Sequence, residues 1–467
     1  MTTRFAWTDL EVRRALRIDA GPGGAAPTFD RISTDTRAVA PGDLFVALRG
    51  ETFDGHDFVA EAHARGAVVS KAVTADDSFA IYEVGDTLHA LGRLAAHRRR
   101  ALPAQVVGVT GSSGKTTVKE LLSAALASTF SVYSTRGNLN NRVGLPLSLL
   151  AAPEAAEFLV LELGTSEPGE IRALTEIAEP DHAVVTTVSE AHLSGLESLE
   201  GVLTEKLDLV RGASAAGKAV VGEEPPTLAE TARGIRPDVR VAGLSERSDP
   251  ELRGELVGQG PDGRYAVRIR GRDARPGVPG RHGARNFVLA TSVAWLLGAD
   301  DAAALERASA VKPGPLRGEV RRVGGLTMIL DCYNANPQSV AAALDLLAEL
   351  PGGTRRVAVL GSMLELGSFS DELHNRVLRK ALSLPLDFLV ASGEFAAAAR
   401  AAGEGDLVAA ASGSRRPQLI AETAVDEAYE ALRPQLSGDE TVLLKASRGV
   451  ALETLLERFE ADFGGEG

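Results

Sequence analysis

The sequence predicts an α/β protein of three units, each built on a mostly parallel sheet. Three observations predict it. The chain has 467 residues, more than one hydrophobic core ordinarily serves. Short apolar runs alternate with helical stretches, the pattern of parallel strands joined by helices. Residues 105–120, QVVGVTGSSGKTTVKE, join an apolar run to a glycine loop and a helical pattern. The expected units are 1–83, 84–313 and 314–467.

In the first unit, Thr34, Asp35, Thr36 and Arg37 gather hydroxyls, a carboxylate and a guanidinium in one stretch. Such a group can hold the uracil, ribose or diphosphate of a nucleotide, or simply form a polar surface loop. Pro41-Gly42-Asp43 is a turn signal. Residues 44–48 read as a strand, 58–65 as a helix and 67–70 as a strand.

The second unit opens with a helix over 87–100. It ends in Arg98-Arg99-Arg100, expected as a solvated last turn favoured by the helix dipole. A strand follows over 106–109. The loop then carries Gly111, Ser112, Ser113 and Gly114, followed by Lys115, Thr116 and Thr117 and a helix over 118–127. Glycines let backbone N–H groups face an anion, and a helix N-terminus adds unpaired donors. Lys115 can reach the β- and γ-phosphates, and the Thr116 hydroxyl can ligate Mg²⁺. A bare glycine turn between strand and helix is the plainer alternative. Val109 stands where the strict phosphate-loop pattern has Gly.

Asn138, Asn140 and Asn141 are poor strand or helix formers. They read as a turn, or as amides facing a polar substrate. Residues 158–161 are a second buried strand ending at Glu162. A carboxylate there, beside a phosphate loop, is placed to hold Mg²⁺ directly or through water. A third strand over 183–188 leads to Glu190 and His192, with Lys206 on a helix over 199–211. Alternating strands follow over 253–272. Then His282 and Asn286 precede an apolar helix over 287–297, which Asn286 could cap.

In the third unit, Arg317 precedes strands running to residue 330. Asp331, Asn334 and Asn336 belong to DCYNANP, before a helix over 339–349. A strand over 356–360 runs into GSMLELG, and His374 lies on the next helix. Strands over 388–391 and 441–444 follow, the latter ending in KASR. An Ala-rich patch over 396–411 reads as helix and loop.

Net charge is −13 and 44% of residues are hydrophobic. The charge argues against a nucleic-acid or membrane-surface binder. No apolar run is long enough to span a bilayer. The charged N-terminal stretch lacks a signal-peptide core, and Cys332 is the only cysteine. A reducing cytoplasm is the expectation.

STDTR, PGDLFVALRG and DGHDF, then TGSSGKTT, GNLNN, the His192–Lys206 spacing, and the C-terminal motifs resemble, in order, the Mur ligases. These are ATP-dependent amide-forming enzymes of peptidoglycan precursor synthesis. The resemblance implies a small UDP-binding N-terminal domain, a central ATP-binding parallel-sheet domain and a Rossmann-like C-terminal domain. It implies ATP and Mg²⁺ as cofactors. Gly111 to Thr117, His282, Asn286, Arg317 and Asp331 are then the nucleotide site. Thr116, Glu162, His192 and a carbamylated Lys206 are metal ligands, with Lys115, Glu162, His192 and Lys206 catalytic. Thr34, Asp35, Thr36, Arg37, Asn138, Asn141, Asn334 and Asn336 bind substrate.

DCYNANP, GSMLELG and KASR are similar to the segments of family members that add a dipeptide. UDP-N-acetylmuramoyl-tripeptide and D-alanyl-D-alanine are the implied substrates, with a monomer expected. The sequence departs from the family pattern in three places: Leu207-Asp208 for Gly-Glu, Gly283 for Asn, and Ala446 for Gly. A sister ligase adding one amino acid, a nucleotide-hydrolysing switch and a catalytically idle binding protein are the other readings.

Overall fold

The computed structural model describes residues 5–19, 27–74, 76, 78–350, 354–402 and 417–465. Residues 403–411 of the Ala-rich patch lie outside them; 394–401 are helical.

Three sheets carry the chain. A four-stranded parallel sheet is ordered Ile32–Ser33, Leu44–Val46, Gly66–Val69, Ala80–Glu83. A six-stranded parallel sheet is ordered Arg240–Ala242, Ala219–Gly222, His182–Val185, Gln105–Thr110, Phe158–Glu162, Val132–Ser134. The third, also six-stranded, is ordered Glu319–Val323, Leu326–Asp331, Thr441–Lys445, Arg356–Leu360, Phe388–Ala391, Gln418–Ala421. Only its first pairing is antiparallel. A three-stranded antiparallel sheet occupies Gly254–Gln259, Tyr265–Ile269 and Arg272–Ala274.

The inner strands read as unbroken apolar runs because helices cover both faces. Val106, Val107 and Val109 are buried, and Val109 packs against the phosphate-loop helix residues Val118 and Leu122. Val109 is therefore strand core, and the loop's turn begins only at Gly111.

Three expectations change. No α-helix forms over 58–65. A 3-10 turn at Gly55–Phe58 is capped by Asp54, and the chain closes one further turn before the next strand. Only Val59 and Ala62 are buried there, too short an apolar stripe to sustain a helix. The helix expected from 287 begins at Gly280 and runs to Leu296. Gly280 and Gly283 are poor helix formers, yet most of the helix is buried and tertiary packing prevails over propensity.

The third change concerns the arginine run. Arg98 and Arg99 are buried, not solvated. Arg99 donates to the Ala178 carbonyl (3.0 Å) and to Asp181 Oδ2 (2.8 Å), and Arg98 lies over the Phe5 ring. Arg100 pairs with Glu179. The run fastens helix Thr87–Ala101 to the end of helix Glu170–Ala178.

Candidate active site

Strand register brings the phosphate loop and its neighbours together. Val109 pairs with Glu162 on one side, and Thr110 with Val185 on the other. The loop therefore emerges between Glu162 and the segment leading to His192. Gly111 has φ +149°, and a Cβ there would stand 2.0 Å from Thr186 Oγ1. Gly114 has φ +81°, and its Cβ would stand 2.8 Å from Asn286 Oδ1. Neither position accepts a side chain, so the backbone is free to approach an anion.

The next strand's exit fixes the loop. Ser112 N–H donates to the Thr187 carbonyl (2.8 Å), Ser112 Oγ to the Ser189 carbonyl (3.1 Å), and Thr186 Oγ1 to the Ser113 carbonyl (2.5 Å). Lys115 heads helix Lys115–Leu126, and its Nζ curls back to the Gly111 carbonyl at 2.7 Å. Burial pushes its pKa down, opposed by the Glu162 carboxylate. An arriving phosphate would replace that carbonyl as partner.

Glu162 is buried and fully engaged. Thr116 Oγ1 donates to Oε2 and Asn140 Nδ2 to Oε1, each at 2.8 Å. A hydroxyl and a carboxylate oxygen thus lie together beside the phosphate loop. Among the described residues, no three His, Cys, Asp or Glu side chains gather into a metal cluster. The donor set suits Mg²⁺, which takes one or two protein oxygens and fills its octahedron with phosphate oxygens and water.

His192 lines the same cavity, with φ +57°. Its Nδ1 contacts Glu365 Oε2 from the third sheet's loops. Lys206 does not line the cavity. It lies within helix Leu199–Gly212 at 0% exposure, with no hydrogen-bond partner for Nζ among the described residues. Burial drives its pKa well below the ordinary lysine value, and the Lys115 charge pushes the same way. An orphaned amine with a lowered pKa is nucleophilic towards carbon dioxide, and a carbamate would supply the missing polar partners. Leu207 faces the core and Asp208 pairs with Arg211 (2.7 Å), so the departure from Gly-Glu lies away from Nζ.

The far wall comes from the third sheet. Asp331 and Lys445 end paired strands in register, and their side chains meet at 2.8 Å. Lys445, 2% exposed, also donates to the Asn334 carbonyl at 2.7 Å. Arg317 stacks 3.6 Å over the Tyr333 ring. His282 and Asn286, one turn apart on helix Gly280–Leu296, face the same space. Burial lowers the His282 pKa, against the pull of Asp331. Asn286 sits inside that helix, over Gly114, so it is not an N-cap.

The result is a cavity of about 450 Å³ between the C-terminal edges of the two large sheets. It unites Ser112, Ser113, Gly114, Lys115, Thr116 and Thr117 with Asn141, Glu162 and His192. His282 and Asn286 join them from helix Gly280–Leu296, and from the far side come Arg317, Asp331, Asn334 and Asn336. Gly111 contributes its carbonyl from beneath.

Two of these side chains also have local duties. Asn141 Oδ1 accepts from Val143 N and Gly144 N, and Asn336 forms a capping box with Ser339. Asn138 is exposed and does not line the cavity. Thr34, Asp35, Thr36 and Arg37 lie outside the cavity lining, in the turn after strand Ile32–Ser33 of the N-terminal sheet. There Arg37 pairs with Asp35 at 2.8 Å and holds its carboxyl down at about 2.

The sequence reading took Asn140 only as part of a turn or as an amide facing substrate, and assigned no role to Lys445 or Glu365. Each stands in a motif it had noticed (GNLNN, KASR, GSMLELG), and each acts on a residue remote in the chain. At the last of the family departures, Ala446 is buried against Gly361, where a Cβ would come within 2.9 Å of the Ala446 methyl.

A phosphate loop flanked by a carboxylate strand end, and faced by an Arg, an Asp and a Lys from the third sheet and its approach, defines a nucleotide-dependent enzyme. The chain belongs to the Mur ligase family. It matches "Mur ligase family, catalytic domain" over 28–99, "Mur ligase middle domain" over 109–294 and "Mur ligase, glutamate ligase domain" over 316–448. It is 33% identical to the UDP-N-acetylmuramoyl-tripeptide–D-alanyl-D-alanine ligase of Bacillus subtilis, over 94% of each chain. The crystal structure of MurF from Acinetobacter baumannii superposes with TM-score 0.86 at 29% identity, over 98% of this chain and 99% of that one. MurF ligase from Thermotoga maritima in complex with ADP gives TM-score 0.78 at 28% identity, over 93% and 97%.

Proposed function

We propose that this chain joins D-alanyl-D-alanine to UDP-N-acetylmuramoyl-tripeptide at the expense of ATP, in cytoplasmic peptidoglycan precursor synthesis. The observation that carries the proposal is the cavity itself, with the phosphate loop and Glu162 on one wall and Arg317, Asp331 and Lys445 on the other. The names of full-length relatives support the choice of substrates. No helix among the described residues is long and apolar enough to cross a membrane.

A carboxylate cannot accept an amine directly, because oxide is a poor leaving group. The tripeptide's terminal carboxylate therefore attacks the γ-phosphoryl of ATP, forming an acyl phosphate and releasing ADP. The dipeptide amine then attacks the acyl carbon, an amide forms and phosphate leaves. Two anions must meet in the first step, so charge neutralisation is the main requirement. Lys115 leaves the Gly111 carbonyl for the phosphates, and the loop N–H groups hold the transferring oxygens.

Thr116 and Glu162 would hold one Mg²⁺; His192 and carbamylated Lys206 would hold a second. Bound there, the ions neutralise phosphate and carboxylate charge. His282 and Asn286 flank the nucleotide, and Arg317 and Asp331 reach it from the third domain. The closed wall keeps water from the acyl phosphate. The loop over 34–37 takes the UDP end of the precursor, and Asn141, Asn334 and Asn336 face its peptide. The division at 83 and 313 assigns these tasks to three domains. One chain supplies the whole cavity, which supports a monomer as the acting unit.

The test is ADP release from ATP with Mg²⁺ and a UDP-N-acetylmuramoyl-tripeptide, comparing D-alanyl-D-alanine with single amino acids. Turnover that needs the dipeptide is expected. Turnover with a single amino acid on a shorter precursor would make the chain a sister ligase, and slow hydrolysis indifferent to any amine would make it a switch.

A further inference from the structure

The segment after strand His182–Val185 is clasped by the third domain. Ser194 N–H donates to the Glu365 carbonyl at 3.1 Å. Gly367 comes so close that a Cβ on it would lie 3.1 Å from Ser194 Cα. Arg376, on helix Ser370–Ser383, grips both oxygens of Glu190 at 2.9 and 2.6 Å. Within this clasp the Glu365 carboxylate meets His192 Nδ1. Both residues have positive φ without being glycine, His192 at +57° and Glu365 at +63°. Such backbone costs energy and persists where surrounding contacts hold it.

An ionised carboxylate only accepts hydrogen bonds, so Nδ1 must carry the ring proton. The Nε2 lone pair is then free, on a ring that lines the cavity. Imidazoles that ligate metals are commonly oriented in this way, by a carboxylate on the other nitrogen. Here that carboxylate comes from a different domain.

We infer that Glu365 is a positioning residue: reaching across from the third domain, it fixes the His192 ring as the Nδ1–H tautomer with Nε2 toward the cavity, so that domain contact and the readiness of His192 arise together. The inference rests on the ligand role proposed for His192. Glu365 itself touches no reacting atom. Before the domains meet, the ring lacks its carboxylate and samples both tautomers. Arg376–Glu190 and Ser194–Glu365 hold the clasp, and the carboxylate carries the message.

The experiment is histidine ring ¹⁵N–¹H spectroscopy on the full chain without metal, with His192 assigned by its loss in His192→Ala. The wild type should show the Nδ1–H form. Glu365→Ala should shift His192 towards Nε2–H, while Glu365→Gln, whose amide oxygen still accepts, should keep Nδ1–H. In parallel, Glu365→Ala should raise the Mg²⁺ concentration for half-maximal ADP release by about 10- to 100-fold, with partial recovery in the Gln variant.

A wild-type tautomer and Mg²⁺ requirement in Glu365→Ala would overturn the inference while leaving the proposed function standing. Wild-type turnover in His192→Ala would instead remove His192 from the site, and the inference with it.

Discussion

The Thr116 hydroxyl donates to Glu162 Oε2 across 2.8 Å, linking the first turn of the phosphate-loop helix to the end of the neighbouring strand. The contact follows from register, since Glu162 pairs with Val109 just before the loop begins. Asn140 occupies the other carboxylate oxygen. Glu162→Gln keeps the size and loses the charge. It should lower ADP release by about 100-fold or more and raise the Mg²⁺ requirement, while the fold, read by circular dichroism, is unchanged. Wild-type Mg²⁺ dependence in this variant would take Glu162 out of the cation site.

Lys206 is buried with no partner for its Nζ among the described residues, and its pKa is driven well below the lysine value, by burial first. If a carbamate completes it, the missing function is a carboxylate on a long stem. Lys206→Ala should therefore lose most activity and regain part of it when formate or acetate is added. Rescue should fail in Glu162→Gln, whose defect is elsewhere. Full activity of unrescued Lys206→Ala would show that the amine has no part in turnover.

Asp35 and Arg37 test the N-terminal loop, which lies outside the cavity lining. The Arg37 side chain, through its hydrogen bonds, holds the Asp35 carboxyl at about 2. With the folded value below the unfolded one, the pair favours folding above the ordinary carboxylate pKa, and that contribution is lost as pH falls through about 2. Across neutral pH the pair stays ionised. Arg37→Ala should return the Asp35 titration, followed by NMR, towards 3.8. It should also raise KM for the UDP precursor about 10-fold, with kcat nearly unchanged. Unaltered KM would leave the loop as surface.

What the sequence disclosed and withheld divides by distance along the chain. The phosphate loop, the strand ending at Glu162 and the strand over 356–360 were legible because their signals are local. The start of helix Gly280–Leu296 was not, because Gly280 and Gly283 are poor helix formers and only packing makes them helical. The burial of Arg98 and Arg99 was hidden likewise, since Arg98 lies over Phe5 from the chain's start and Arg99's partners at Ala178 and Asp181 come from another helix's end. Glu365 reaches His192 across 173 positions, and Lys445 reaches Asp331 only because two strands run in parallel register. No periodicity in either segment carries that information.

Ala446 shows how a departure from a family pattern is accommodated. Its methyl is buried beside Gly361, and a Cβ on Gly361 would stand 2.9 Å from it and 3.0 Å from Val450 Cγ1. Gly361 also donates its N–H to the Lys445 carbonyl at 2.9 Å, so the strand end cannot withdraw without disturbing Lys445. Gly361→Ala should overpack the site and cost about 1–3 kcal/mol. Ala446→Gly should cost about 0.5–1 kcal/mol, through backbone entropy and a lost methyl. In the double variant one methyl replaces the other, so the penalties should fall short of their sum by about 1 kcal/mol, with the Val450 contact still in place. Urea midpoints of the four proteins give the comparison, and strict additivity would mean that the two positions do not share one space.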